Sequence, residues 1–166
     1  MGIFTAAVAL FSNGGADEPE KEPRVTRSHD ETGPKCTILV IDDDPSFLAS
    51  IRLVLREAGY NVLTSSTGPK GLDMLRYAPK DVSLVLLDYN MPRFNGAETL
   101  EFLRKLNPNL KVVAVSGFPV TELPENFHRG VKRLVSKPFN NDELLKTVEE
   151  VLEDNSAIEP LVSACR

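Results

Sequence analysis

Four short strand-like segments, each ending at a residue able to do chemistry, constrain this chain more than any other feature. Leu84 to Leu87 is a run of four apolar residues, the length and character of a strand buried on both faces; such strands belong to parallel sheets with helices on each side. Asp88 follows directly, at the strand end where open α/β sheets bind their ligands. Alone, an Asp before a Pro-containing loop is also an ordinary turn former. Its company argues for more. Thr37 to Ile41 stops at Asp42, Asp43 and Asp44, Lys111 to Val115 stops at Ser116, and Leu134 to Ser136 stops at Lys137.

Acids, a hydroxyl and an ammonium therefore converge on one sheet edge. A few carboxylates with no histidine or cysteine among them suit Mg²⁺, a hard ion that keeps several waters and shares its shell with phosphoryl groups. A lysine and a hydroxyl are the partners such a group needs.

Between the strands the pattern turns helical. Phe47, Ile51, Val54, Leu55 and Ala58 recur at helical spacing after Pro45, and Gly59 closes the segment. Asn61 to Ser65 reads as a short strand, and Gly68 to about Tyr77 as a helix with Leu72 and Leu75 turned inward. Asn95 can cap a helix carrying Leu100, Leu103 and Leu106 that ends before Pro108. Asn140 with Glu143 forms a capping-box-like start to a last helix, whose buried stripe is Leu144, Val148, Val151 and Leu152. Such alternation predicts an α/β fold of three layers, a flavodoxin-like doubly wound sheet of five parallel strands. Pro119 and Pro124 interrupt the fourth helical segment, which is expected to be short or irregular.

Composition bounds the rest. The 166 residues, 42% hydrophobic, fit one core, and a net charge of -5 without any basic run argues against a nucleic-acid binder. Cys36 and Cys165 lack metal-ligand spacing and read as two free thiols in a reducing compartment. Residues 1–34 read as a disordered tail, rich in Gly, Pro, Glu, Asp, Ser and Thr beyond the apolar Ile3 to Phe11. That run is too short for a bilayer, which takes about 20 residues, so no stable membrane insertion is expected. It lacks the basic flank of a secretory signal, and Ala6 stands where lipidation after Gly2 wants Ser or Thr. A frayed tail, a start-site artefact and a weak docking peptide all fit it.

In four segments taken in order, ILVIDDDP, LLDYNMPRFNG, VVAVSG and LVSKPF, the chain resembles the receiver domain of bacterial two-component response regulators. The resemblance spans residues 35–155 and leaves 156–166 as a short tail. It implies that Asp88 accepts a phosphoryl group, that Asp42, Asp43, Asp88 and the backbone carbonyl of Asn90 hold Mg²⁺, that Ser116 bonds the phosphoryl group, and that Lys137 pairs with it. It further implies a cis Lys137–Pro138 bond, a cytoplasmic protein that is not itself an enzyme, and a sensor histidine kinase or histidine phosphotransfer protein as partner. The downstream partner is left open, and with too little chain after the last helix for an output domain the expectation is a stand-alone receiver.

Two departures stand out: Leu134 occupies a switch position that is commonly Tyr or Phe, and the residues beyond Asn155 are expected to be too few for an output domain. Asp44 lies outside the acidic pair that the family uses. A haloacid-dehalogenase-like phosphatase is the nearest rival, with Asp42-x-Asp44 as its D-x-D, but Pro45 and Ser46 replace its Gly-Thr, and Pro138 and Phe139 follow the lysine in place of an acidic pair. A receiver fold kept only as a binding module is the other. Two carboxylates about 4 Å apart repel by roughly 4 kcal/mol at an effective dielectric of 20, so the acidic pocket is expected to strain the metal-free fold.

Overall fold

Alternation within the apolar runs decides which helix each strand residue meets. The computed structural model describes residues 34–77 and 81–156. Strands β1 (Thr37–Ile41), β2 (Asn61–Ser65), β3 (Val82–Asp88), β4 (Lys111–Ser116) and β5 (Arg133–Ser136) form one parallel sheet in the order β2-β1-β3-β4-β5. Helices α1 (Pro45–Glu57), α2 (Gly68–Tyr77), α3 (Gly96–Leu106), α4 (Glu125–Arg129) and α5 (Asn141–Glu153) cover it. Ile38, Val40, Leu84, Leu86 and Val113 pack with Ile51 and Leu55 of α1 and Leu144, Val148 and Val151 of α5. Their neighbours Leu39, Ile41, Val85, Leu87, Val112 and Ala114 pack with Leu72, Leu75, Leu100, Leu103 and Phe127 on the other side. A strand with both faces covered has no polar face, which is why these runs are continuous.

Local chemistry sets the helix ends. Asp44 caps α1, its carboxylate accepting from Ser46 N and Phe47 N at 2.8 and 3.3 Å. Gly59, at φ 91°, follows α1 in the left-handed region that glycine enters without penalty. The complete capping box falls at Asn95 and Glu98, each side chain accepting from the other's backbone N–H at 2.9 Å. At Asn140 one arm forms, the side chain accepting from Glu143 N at 2.8 Å.

Several expectations need correction. The central strand begins at Val82, two residues before the apolar run. Leu106, the last residue of α3, is 42% exposed, and Leu152 is only partly buried. The interrupted segment is short as expected, a 3-10 turn at Val120–Glu122 followed by the single-turn-length α4. Arg104 of α3 pins its far end: the guanidinium donates to the carbonyls of Gly130, Pro108 and Leu110, and burial lowers its pKa to about 10. The tails expected at 1–34 and 156–166 lie, apart from Pro34 and Ser156, outside the described residues, as does Cys165; Cys36 is a free thiol. Among the described residues no helix is long and apolar enough to cross a membrane.

Candidate functional site

Parallel strands in register end together, and here their ends carry the reactive groups. Asp88 lies opposite Val115 in the β3–β4 pairing, one residue before Ser116, while Asp42 continues β1 on the other side of β3. The switch between β1 and β3, where the sheet's winding reverses, is where a crevice opens.

Lys137 Nζ donates to Asp42 Oδ2 and Asp88 Oδ1, both at 2.9 Å. The other oxygens are engaged too: Asp42 Oδ1 accepts from Asp44 N at 2.8 Å, and Asp88 Oδ2 from Asn90 N at 2.9 Å. Both acids are buried, at 1% and 3% exposure, and among the described residues no buried side-chain nitrogen or oxygen lacks a hydrogen-bond partner. Burial pushes the Asp88 carboxyl above the usual carboxylate range, and the Asp42 charge adds to this, although the hydrogen bond from Lys137 opposes it. Burial also works against the Lys137 ammonium, but the two carboxylates outweigh it and raise Lys137 above an ordinary lysine. The same ammonium sits 4.4 Å from the centre of the Phe47 ring, which packs edge-on to Phe139 at 6.1 Å.

Asp43 points to solvent. One carboxylate oxygen from each of Asp42, Asp43 and Asp88 lies within 4.8 Å of the other two, so a buried pair and an open acid frame one small space. An all-oxygen donor set with one side facing water fits a hard divalent cation that retains part of its hydration. Asp44, turned to cap α1, takes no part in this cluster. The D-x-D pairing therefore does not form.

On the far side, Ser116 Oγ donates to Asn90 Oδ1 at 3.3 Å and accepts from Phe118 N at 3.0 Å. Gly117 N also donates to Asn90 Oδ1, at 3.2 Å. The Tyr89 ring meets Phe127 of α4 edge-on at 4.8 Å and Phe118 at 6.4 Å. Leu134 is partly buried against the same cluster. The Lys137–Pro138 bond is cis, as the resemblance implies.

Sequence reasoning missed two contributors. Phe47 reads as a helix core residue, and only the tertiary fold places it under Lys137. In the sequence Asn90 counts only for its backbone carbonyl, whereas its side-chain oxygen accepts from Ser116 Oγ and Gly117 N. A third constraint is steric: a Cβ on Gly96 would lie 2.6 Å from both the Asp88 carbonyl oxygen and Tyr89 Cα, backbone atoms that cannot swing aside. Gly96→Ala is therefore expected to push α3 off the Asp88 strand end and destabilise the protein by about 1–3 kcal/mol, read by urea unfolding. Wild-type stability in that variant would show that α3 can shift freely.

Residues 38–149 match the response regulator receiver domain. The chain belongs to that family. It is 31% identical over 134 residues to the sensor kinase CckA of Brucella abortus, covering 80% of this chain and 14% of that protein. It is 31% identical over 116 residues to the cell cycle transcriptional regulator CtrA of Caulobacter vibrioides, covering 69% of this chain and 49% of that protein. The chain thus spans less than half the length of either relative. Among solved structures, a CheY-like receiver domain protein from Methanospirillum hungatei matches with a TM-score of 0.64 and 30% identity over 70% of this chain and 93% of that one. The response regulator TrrA from Thermotoga maritima, in complex with Mg²⁺ and BeF, matches with a TM-score of 0.62 and 28% identity over 70% and 98%. This receiver domain shares with them the five-stranded parallel sheet of the flavodoxin-like class.

Proposed function

We propose that this receiver is phosphorylated on Asp88 by a histidine kinase or a histidine phosphotransfer protein, and that its output is a change in protein contacts or onward transfer of the phosphoryl group. The observation that carries this is the buried Asp88, with Lys137 on one oxygen and Asn90 N on the other, beside two further acids.

Asp88 is the nucleophile. Each of its oxygens keeps lone pairs beyond the one hydrogen bond it accepts, so either can attack phosphorus. An O–P bond forms, the P–N bond of a phosphohistidine donor breaks, and the electron pair leaves on the imidazole, which takes a proton from solvent. The product is an acyl phosphate on Asp88. Lys137 holds the carboxylate's orientation before transfer and offsets phosphoryl charge after it. The Ser116 hydroxyl then turns to a phosphoryl oxygen. Asp42, Asp43, Asp88 and the Asn90 carbonyl would hold Mg²⁺, which supplies charge neutralisation between an anionic nucleophile and an anionic donor. The complex of TrrA with Mg²⁺ and BeF supports this choice of ion.

A groove of about 340 Å³ between α1 and the turn after β5, lined by Phe47, Ile51, Val54, Pro138 and Phe139, opens beside Lys137. Its apolar walls suit a helix of the phosphodonor protein, seated so that a phosphohistidine reaches Asp88.

Incubation with Mg²⁺ and acetyl phosphate tests the reading: intact mass should show one labile phosphoryl adduct, and its absence would overturn the assignment. A second measurement separates the acids. Asp43→Asn should weaken Mg²⁺ binding at least about tenfold in calorimetric titration. Because Asp43 is exposed, its metal-free stability should move by no more than about 0.5 kcal/mol. Unchanged Mg²⁺ affinity would remove Asp43 from the metal site.

A further inference from the structure

Asn90 is bonded at both ends, to the acceptor through its backbone and to the hydroxyl segment through its side chain. Its N–H donates to Asp88 Oδ2 at 2.9 Å, and its carboxamide oxygen accepts from Ser116 Oγ at 3.3 Å and Gly117 N at 3.2 Å. The facing atom must be the oxygen, since a backbone N–H can only donate. We infer that the Asn90 side chain is a positioning residue that holds Ser116 and Gly117 in their resting place and must release Ser116 when Asp88 is phosphorylated. The inference rests on the assignment of Asp88 as acceptor.

The argument is one of proton supply. A serine hydroxyl has a single proton to donate. In the resting protein that proton goes to Asn90 Oδ1, while Phe118 N donates to Ser116 Oγ itself. Ser116 cannot donate to a phosphoryl oxygen and keep its bond to Asn90. The Ser116 bond to Asn90, at 3.3 Å, is longer than an ordinary O–H···O bond, so the hold on the hydroxyl is weak enough to exchange. Once Ser116 leaves, Gly117 N–H loses the geometry that shared its acceptor, and the turn leading to Phe118 is free to follow. Phe118 touches Tyr89, and Tyr89 touches Phe127 of α4, so the release reaches α4 without an aromatic residue at position 134. A glycine with no neighbour within 4 Å of its Cβ position, Gly117, leaves room for that turn to move.

Two variants of the full chain test this, and because Asn90 is exposed neither empties the core. Asn90→Leu keeps the shape and the backbone N–H but has no acceptor; Asn90→Asp keeps an acceptor oxygen. Without phosphodonor, amide exchange at Gly117 and Phe118 should quicken roughly three- to tenfold in the leucine variant, the worth of one or two neutral hydrogen bonds, and stay near wild type in the aspartate variant. With Mg²⁺, the leucine variant should bind beryllofluoride roughly three- to tenfold more tightly than wild type, since no bond to Asn90 opposes the movement of Ser116. Wild-type exchange and wild-type beryllofluoride affinity in the leucine variant would overturn the inference while leaving the acceptor assignment intact. Equal quickening in both variants would also overturn it, because the acceptor oxygen would then not be what holds the turn. Failure of the wild-type protein to bind beryllofluoride at all would overturn the acceptor assignment, and the inference with it.

Discussion

Asp88→Asn is expected to gain no phosphoryl mass when incubated with Mg²⁺ and acetyl phosphate, under conditions in which the wild-type chain is modified. Asp88 is the only acid of the pocket that ends the central strand, and an amide cannot form the acyl phosphate. An adduct of equal yield on the variant would place the acceptor elsewhere. The same substitution carries a second, independent expectation. Burial raises the folded-state pKa of Asp88, so ionising it at neutral pH costs stability in the folded protein relative to the unfolded one. The sign follows: the cost is fully present above the folded pKa and vanishes as pH falls below the unfolded carboxyl value of about 3.9. Without metal, Asp88→Asn should therefore melt above wild type at pH 7, and the gap should close toward about pH 4. The amide keeps the carboxylate's shape, but its one oxygen can accept from Lys137 Nζ or from Asn90 N and not from both, since these bond different oxygens of Asp88, so the donor left facing the NH2 group offsets part of the gain. A variant that melts below wild type at every pH would show that the Lys137 bond outweighs burial.

Lys137→Met should give the largest loss of stability. Lys137 is the cation shared by two acids that are almost fully buried, and removing it leaves both carboxylates facing each other. Breaking a buried ion pair from one side costs about 3–5 kcal/mol, and here two acids are stranded by one change. Melting in EDTA should fall by on the order of 10 °C. Mg²⁺ held as proposed by Asp42, Asp43 and Asp88 would bind only the folded site, so millimolar Mg²⁺ should narrow the gap by mass action. The pH dependence is set by the raised Lys137 pKa: the stabilisation is complete below about 10.4, the ordinary lysine value, and is lost as pH rises through the higher folded value. Phosphorylation of the variant should slow roughly 100-fold, because no fixed cation meets the incoming phosphoryl group. Equal melting of the two proteins in EDTA would show that solvent already screens the two acids from each other.

Much of this site was legible because strand ends are legible. Asp88 and Ser116 end buried apolar runs and Lys137 follows the short strand β5, of which only Val135 is buried, and a parallel sheet brings such ends to one edge whatever the loops do. The βα alternation, the proline-broken fourth helix and the capping residues Asn95 and Asn140 are likewise local, set by period, propensity and the need to bond free backbone N–H groups. Neighbouring positions were harder. Asp42, Asp43 and Asp44 are three identical residues in a row, and nothing local says which one turns inward. The fold assigns them three different tasks: Asp42 meets Lys137 in the buried pair, Asp43 faces solvent at the rim, and Asp44 caps α1.

What sequence by itself determined is therefore the sheet, its winding and the set of reactive groups at its edge, since these follow from hydrophobic runs and chain order. Only the tertiary structure decided their partners. Lys137 lies 95 residues from Asp42 and 49 from Asp88, and no local preference can choose between contacts at such separations. The same holds for Phe47 beneath Lys137, for the Asn90 carboxamide across from Ser116, and for Tyr89 against Phe127. Each depends on how two helices and a loop settle against the sheet, where close packing admits one arrangement among many that the same pattern of apolar residues would allow.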